Sequence, residues 1–216
     1  NATDAIKHFD LNYIGLDMNV ERGGNNQKKF ILKPKGSNYS SFELRHASSG
    51  IQTTAPLIAM MNYYAQAFDF KLAQKRSIID LLFEKNLTTQ YRPEMELTDM
   101  PKYVHIHIEE PELSLDPTSQ IQMLNEIIRL AFYSKVDSRE IGLVLATHSP
   151  YIINSLNLLM KAHDCKTDID GAHVGYDDLS VYQILSGGVA DLKVKNIHYV
   201  NTDRLSEDIN NIYDKY

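Results

Sequence analysis

The sequence is poor in cysteine and has no long apolar run, and each shortage excludes a class of protein. Cys165 is the only cysteine among 216 residues, so a disulfide within the chain is impossible, and a reducing compartment, the cytoplasm, is predicted. No apolar stretch approaches membrane-spanning length, and no charged and then apolar leader opens the chain. We therefore expect neither a membrane partner nor secretion.

The chain also lacks an excess of positive charge. Its 22 Lys and Arg residues against 28 Asp and Glu residues give a formal net charge of −6, which argues against a surface that grips nucleic acid throughout. Basic residues concentrate between Glu21 and Arg45, where only Glu21 and Glu43 oppose them. The favoured interpretation is a solvated hairpin whose lysines protect its edges, and a nucleic-acid contact is the alternative.

Four segments are expected along the chain: strands and a hairpin in 1–47, a helical segment in 48–102, a core in 103–162, and a hairpin with a terminal helix in 163–216. An alternation of apolar strands and helices in the core predicts an α/β fold with a parallel sheet, its second strand covered on both faces. The predicted elements are strands at 11–20, 29–33, 103–108 and 141–146, helices at 51–70, 74–84, 118–133 and 150–162, a hairpin at 179–192, and a terminal helix capped by Ser206.

Two adjacent carboxylates, Glu109 and Glu110, follow the strand predicted at 103–108 and enter a loop opened by Pro111. Two carboxylates at the end of a buried strand are costly to desolvate unless a cation or a reacting water compensates them. Ligands of open α/β sheets also collect at the carboxyl ends of the strands. A nucleotide-phosphate site is therefore the first hypothesis.

Three sequence pieces stand in a characteristic order: Ser48-Ser49-Gly50-Ile51-Gln52, then Glu109-Glu110-Pro111 with Asp116, then Thr147-His148-Ser149-Pro150. In this set the chain resembles the second half of an ATP-binding-cassette-type ATPase domain. Its nearest likeness is to the soluble branch that includes overcoming-lysogenization-defect nucleases, SMC-like repair ATPases and AAA-type defence ATPases. The resemblance covers roughly 42–157 and implies a P-loop NTPase-like parallel-sheet core with a helical signature region.

The resemblance assigns nucleotide contacts to the first piece. Ser48, Ser49 and Gly50 match the signature motif, and Gln52 follows them in the same piece. A turn of small residues that opens a helix presents N–H groups and a hydroxyl to phosphate oxygens. In the family this surface meets ATP held by a second subunit, so a second copy of the chain is an expected partner.

The resemblance also assigns roles to the acids and the histidine. Glu110 matches the carboxylate that polarises the attacking water, and His148 matches the switch histidine that contacts the γ-phosphate. Glu109 falls where the family usually has the Walker B Asp, which orients Mg²⁺ through water, and is one methylene longer. Asp116 falls in the D-loop, which couples the two sites of the dimer.

One part of such a site is missing, because no G-x-x-x-x-G-K-[ST] phosphate-binding loop occurs in the sequence. The chain also begins at Asn1 and not at methionine, which suggests a piece that lacks the first lobe of its ATPase. We therefore expect the piece alone to be inactive. Phosphate release that is lost on Glu110→Gln would refute this expectation. The complete protein is expected to bind ATP and Mg²⁺, to dimerise, and to serve DNA repair or phage defence with a nucleic acid or an effector protein.

Two other functions stay open. His105 and His107 alternate with Glu109 on one strand face, so a metal-dependent hydrolase is conceivable, although buried and hydrogen-bonded histidines under a covering helix are the favoured interpretation. A degenerate ATPase head that serves as a non-catalytic scaffold is the second alternative. The letters Leu185-Ser186-Gly187-Gly188 look like a signature, but they follow His148, so a hairpin turn is predicted there.

Overall fold

The structure is a computed structural model that describes residues 8–22, 27–36, 38–87, 102–194 and 196–203. These residues form a mixed α/β fold of small sheets and four α-helices. In chain order the elements are β1 His8–Leu11, β2 Leu16–Arg22, β3 Lys28–Pro34, β4 Phe42–Glu43, α1 Ser49–Asn62, α2 Phe70–Glu84, β5 Tyr103–Glu109, α3 Pro117–Ile128, β6 Glu140–Ala146, α4 Pro150–Asp164, β7 Tyr182–Leu185, β8 Gly188–Asp191, β9 Lys193–Val194 and β10 Tyr199–Val200.

The first four strands form an antiparallel sheet in the order β1-β2-β3-β4. Leu11, Met18 and Leu32 are completely buried and point into the core, as expected where one face of an antiparallel sheet packs on helices. The prediction of one strand over 11–20 is wrong at its start. A 3₁₀ turn over Asn12–Ile14, ended by Gly15 at a φ of 64°, separates β1 from β2.

The helical segment is divided differently from the prediction of a helix over 51–70. Helix α1 ends at Asn62 and continues into a π-helical turn over Tyr63–Ala67. Asp69 then caps α2 by accepting a hydrogen bond from the Leu72 N–H at 2.9 Å, so the second helix begins four residues before its predicted start at 74. Most of the segment that follows lies outside the described residues.

Strands β5 and β6 form a parallel pair whose register runs from Tyr103 opposite Glu140 to Glu109 opposite Ala146. The order β5-α3-β6-α4 confirms the predicted alternation of strands and helices. Inward-facing residues of the pair join one core with the buried faces of α3 and α4. They are Ile106, Ile108 and Ile141 from the strands, with Met123, Leu124, Ile127, Ile152, Leu156 and Leu159 from the helices.

The prediction that the second strand is covered on both faces is wrong for the described part of the chain. Val144, in the middle of β6, is 48% exposed, whereas Ile141 is 5% exposed. Side chains of β5 likewise alternate between exposed and buried positions. The parallel pair therefore has an inner face in the core and an outer face open to solvent.

The predicted hairpin over 179–192 is confirmed, because β7 and β8 pair antiparallel around a turn at Ser186 and Gly187. Gly187 has a φ of 88°, a left-handed conformation that favours glycine. The predicted terminal helix capped by Ser206 lies outside the described residues. Within the described ranges, every helix is too short or too polar to cross a membrane.

Candidate functional site

The predicted acids lie where the parallel pair ends. Glu109 is the last residue of β5, and Glu110 extends the pairing by one step, since its N–H donates to the carbonyl oxygen of Ala146 at 2.8 Å. Glu110 then turns the chain sharply, with a φ of 47°. A non-glycine residue in the left-handed region is uncommon, and here it changes the direction of the chain directly after β5.

The structure brings the Glu110 carboxylate and the His148 imidazole together. His148 follows β6, the strand beside β5, and its Nε2 lies 3.6 Å from Glu110 Oε1. The side chains are 89% exposed for His148 and 46% exposed for Glu110. A carboxylate and an imidazole therefore face solvent side by side where the two parallel strands end.

The loop after β5 and the segment after β6 are joined by Glu112, a residue that the sequence patterns did not single out. Glu112 Oε1 accepts hydrogen bonds from the Thr147 hydroxyl at 2.7 Å and from the His148 N–H at 2.8 Å. Its Oε2 is buried and has no hydrogen-bond partner among the described residues. The only signal in the sequence is a third carboxylate close behind the pair, which resembles an ordinary charged loop.

The serine–glycine turn contacts the same loop. Ser48 caps α1, and its Oγ is 3.5 Å from the Ile51 N–H. A Cβ added to Gly50 would lie 2.6 Å from the carbonyl oxygen of Ser114 and 2.8 Å from Leu115 Cδ2, so only glycine permits this approach. The turn thus packs on the loop that leads from the acids to α3, and the adjacent Ser49 is exposed.

Two residues with predicted nucleotide contacts have structural contacts of their own. Gln52 donates from Nε2 to the carbonyl oxygens of Ala47 at 2.7 Å and Arg45 at 3.2 Å, and so braces the turn before α1. Asp116 caps α3, where a hydrogen bond from the Ser119 hydroxyl, with backbone N–H groups, holds the pKa of Asp116 below its usual range. Their roles toward a nucleotide stay predictions.

The predicted environment of His105 and His107 is wrong, because both lie on the open outer face of the parallel pair and are exposed. The His105 ring contacts the Tyr103 ring edge-to-face at 4.5 Å between centroids. Across the described ranges, no three His, Cys, Asp or Glu side chains are grouped so that they could hold a metal ion. The described residues therefore give the metal-dependent hydrolase no support.

Glu109 suits a different kind of cation site. Mg²⁺ prefers oxygen ligands and is commonly held by one or two carboxylates together with substrate phosphates and waters. Glu109 is an exposed carboxylate at the end of β5 that can supply one such ligand. The residues present therefore fit the protein's share of a Mg²⁺–phosphate site, while the phosphate cradle has no counterpart in the sequence.

Comparisons with family models and with curated proteins add no relative. No protein-family model matches the chain, and no curated protein matches it. The resemblance to ATP-binding-cassette-type ATPases therefore rests on the three motifs and their order.

Proposed function

We propose that the region 42–157 is the γ-phosphate-facing part of an ATP-binding-cassette-type ATPase head with a P-loop NTPase-like core. In this proposal the complete protein binds ATP with Mg²⁺ between two copies and hydrolyses it. The observation that carries the proposal is the 3.6 Å approach of Glu110 Oε1 to His148 Nε2 at the carboxyl ends of two parallel strands. Ligands of parallel α/β sheets bind at that end.

The pairing of Glu110 with His148 favours hydrolysis of ATP over binding of ATP without hydrolysis. Glu110 accepts a proton from the attacking water as a general base, a role that its exposed carboxylate supports. His148 donates a hydrogen bond toward the γ-phosphate from the neighbouring strand end. Glu109 contributes to holding Mg²⁺, which when bound neutralises charge on the phosphate oxygens.

The exposed position of the serine–glycine turn supports the proposed dimer. Ser48 and Ser49 are exposed at the start of α1, so their polar groups are accessible to a phosphate group from outside the subunit. The phosphate cradle comes from a part outside these residues, and the open outer face of the parallel pair offers a surface on which that part can pack. DNA repair or phage defence, with a nucleic acid or an effector protein as partner, is the process that the resemblance implies, and the cytoplasm is the expected location.

The proposal is tested with Glu110→Gln in the complete gene product. This substitution keeps the shape of the side chain and removes the base, and we expect the rate of phosphate release from Mg-ATP to fall by about 100-fold or more. ATP-induced self-association, measured by sedimentation velocity, should persist or increase in the variant because bound ATP is no longer consumed.

Glu84→Gln is the matched control, because Glu84 is an exposed glutamate at the end of α2 and the same atoms change. It should leave both the rate and the self-association unchanged. A Glu110→Gln protein that releases phosphate at the wild-type rate, or a wild-type protein that neither binds nor hydrolyses ATP, would refute the proposal.

A further inference from the structure

Glu112 links the two loops that carry the candidate catalytic groups. It lies two residues after Glu110, and its Oε1 receives the Thr147 hydroxyl at 2.7 Å and the His148 N–H at 2.8 Å. The backbone of Glu112 also continues the turn, since its carbonyl oxygen accepts from the Leu115 N–H at 3.0 Å. One side chain therefore ties the position of His148 to the position of Glu110.

His148 needs such a tie because packing does not hold it. Its side chain is 89% exposed, so few neighbouring atoms restrict where the imidazole lies. The location of the ring then depends on the backbone of His148, whose N–H is anchored by Glu112. A hydrogen bond to a carboxylate is stronger than one between neutral groups, which makes it a suitable anchor for an exposed loop.

A second tie runs beside the first and does not reach the histidine. The Ser149 hydroxyl donates to Gln120 Oε1 at 2.5 Å, and Gln120 Nε2 donates to the carbonyl oxygen of Leu115 at 2.9 Å. Loss of Glu112 therefore leaves the two loops joined through Gln120. This arrangement separates the positioning of His148 from the general integrity of the loops.

We propose that Glu112 is a positioning residue that holds His148 beside Glu110, so that both side chains act at the γ-phosphate of the same ATP. This inference rests on the proposed ATPase function. Glu112 itself does not touch the nucleotide, because its Oε1 is engaged by Thr147 and His148 and its Oε2 is buried. Glu112 contributes by holding His148 in position relative to Glu110. Displacement of a catalytic group by about 1 Å can lower a reaction rate by as much as 100-fold.

The test compares Glu112→Ala with Glu112→Gln in the complete gene product. We expect Glu112→Ala to lower kcat for ATP hydrolysis by about 10- to 100-fold. KM should change little, because Glu112 does not contact the bound nucleotide in this proposal. Glutamine keeps a carbonyl oxygen that accepts from both donors, so it should restore much of kcat. In a His148→Ala background, Glu112→Ala should cause little further loss, because its effect acts through the histidine.

Amide hydrogen exchange of the 216-residue chain gives a readout that does not depend on ATP. The His148 N–H should exchange faster in Glu112→Ala than in the wild type, and Glu112→Gln should keep its protection. Unchanged exchange in the alanine variant overturns the inference, as do additive losses from Glu112→Ala and His148→Ala. A wild-type rate in Glu112→Ala, with Glu110→Gln inactive, overturns this inference alone. A wild-type protein without ATPase activity overturns the proposed function as well.

Discussion

The inner and outer faces of the parallel pair come from the same two strands and differ sharply in composition and packing. Ile106, Ile108 and Ile141 on the inner face are at most 8% exposed and belong to the core. On the outer face, His105, His107, Glu109 and Val144 are exposed. The carboxylate and imidazole of the candidate site lie where these strands end, next to the well-packed inner face.

The difference shows how this fold separates stability from chemistry. Burial of apolar side chains on the inner face fixes the direction of both strands, at about 25 cal/mol per Å² of apolar surface removed from water. The strand directions in turn fix where Glu110 and His148 emerge, although neither side chain is buried. The site can therefore carry exposed polar groups while buried apolar residues hold the strands that position them.

The largest expected effect tests the contrast between the faces directly. Ile106→Ala removes three carbons from a side chain that is 5% exposed, and we expect the free energy of unfolding to fall by about 2–4 kcal/mol. Val144→Ala, at 48% exposure on the outer face, should change it by less than about 0.5 kcal/mol. Urea unfolding of the 216-residue chain, followed by circular dichroism, measures both values.

The matched pair controls for strand propensity, because each substitution replaces a β-branched residue with alanine on the same sheet. A loss for Val144→Ala as large as that for Ile106→Ala would contradict the description of the outer face as open. It would show that other parts of the chain or a second copy cover that face in solution.

Much of the fold could be predicted because periodicity and apolar runs are local signals. Strands β5 and β6, helices α3 and α4 and the hairpin around Gly187 follow from them. The break between α1 and α2 could not be predicted, since the apolar pattern continues through the π-helical turn over Tyr63–Ala67. The open outer face could not be predicted from β6 either, because an apolar strand has the same sequence pattern whether one face or both are covered.

The candidate site also has a part that could be predicted from the sequence and a part that could not. The approach of Glu110 and His148 follows from motif order, since adjacent parallel strands deliver their carboxyl ends to one edge. The role of Glu112 could not be predicted, because a hydrogen bond to a backbone N–H 36 residues away leaves no spacing pattern. The exposure of His105 and His107 agrees with their alternation with Ile106 and Ile108, which is the pattern of a strand with one open face.

The next largest expected effect on stability concerns the contact between the serine–glycine turn and the loop that leads to α3. Gly50→Ala places a Cβ 2.6 Å from the carbonyl oxygen of Ser114, a backbone atom that cannot move aside freely. We expect a loss of about 1–3 kcal/mol in the free energy of unfolding, typical of overpacking. Ser49→Ala, at the neighbouring exposed position, is the control and should stay within about 0.5 kcal/mol. Equal stabilities of Gly50→Ala and wild type would show that the serine–glycine turn does not rest on that loop.

The smallest expected effect on stability tests a buried polar group in the core, the hydroxyl of Tyr13. The buried Tyr13 hydroxyl donates to Thr54 Oγ1 at 2.7 Å, and Thr54 donates to the carbonyl oxygen of Gly50 at 2.8 Å. Tyr13→Phe should cost about 1 kcal/mol at neutral pH because one buried hydrogen bond is lost. Tyr39→Phe, at 77% exposure, is the control and should have no measurable effect.

The pH dependence of the Tyr13 contribution has a definite sign. Burial raises the pKa of Tyr13 from 10.0 to about 12, so the folded state favours the protonated phenol. Its contribution is fully present below the unfolded pKa and is lost as the pH rises from about 10 to about 12. Each pH unit in this interval removes up to about 1.4 kcal/mol of stability from the wild type alone, so its advantage over Tyr13→Phe should shrink and then change sign. If the difference in unfolding free energy stays constant through the interval, the phenol of Tyr13 reaches solvent. The core around Tyr13 would then be as open as the outer face of the parallel pair.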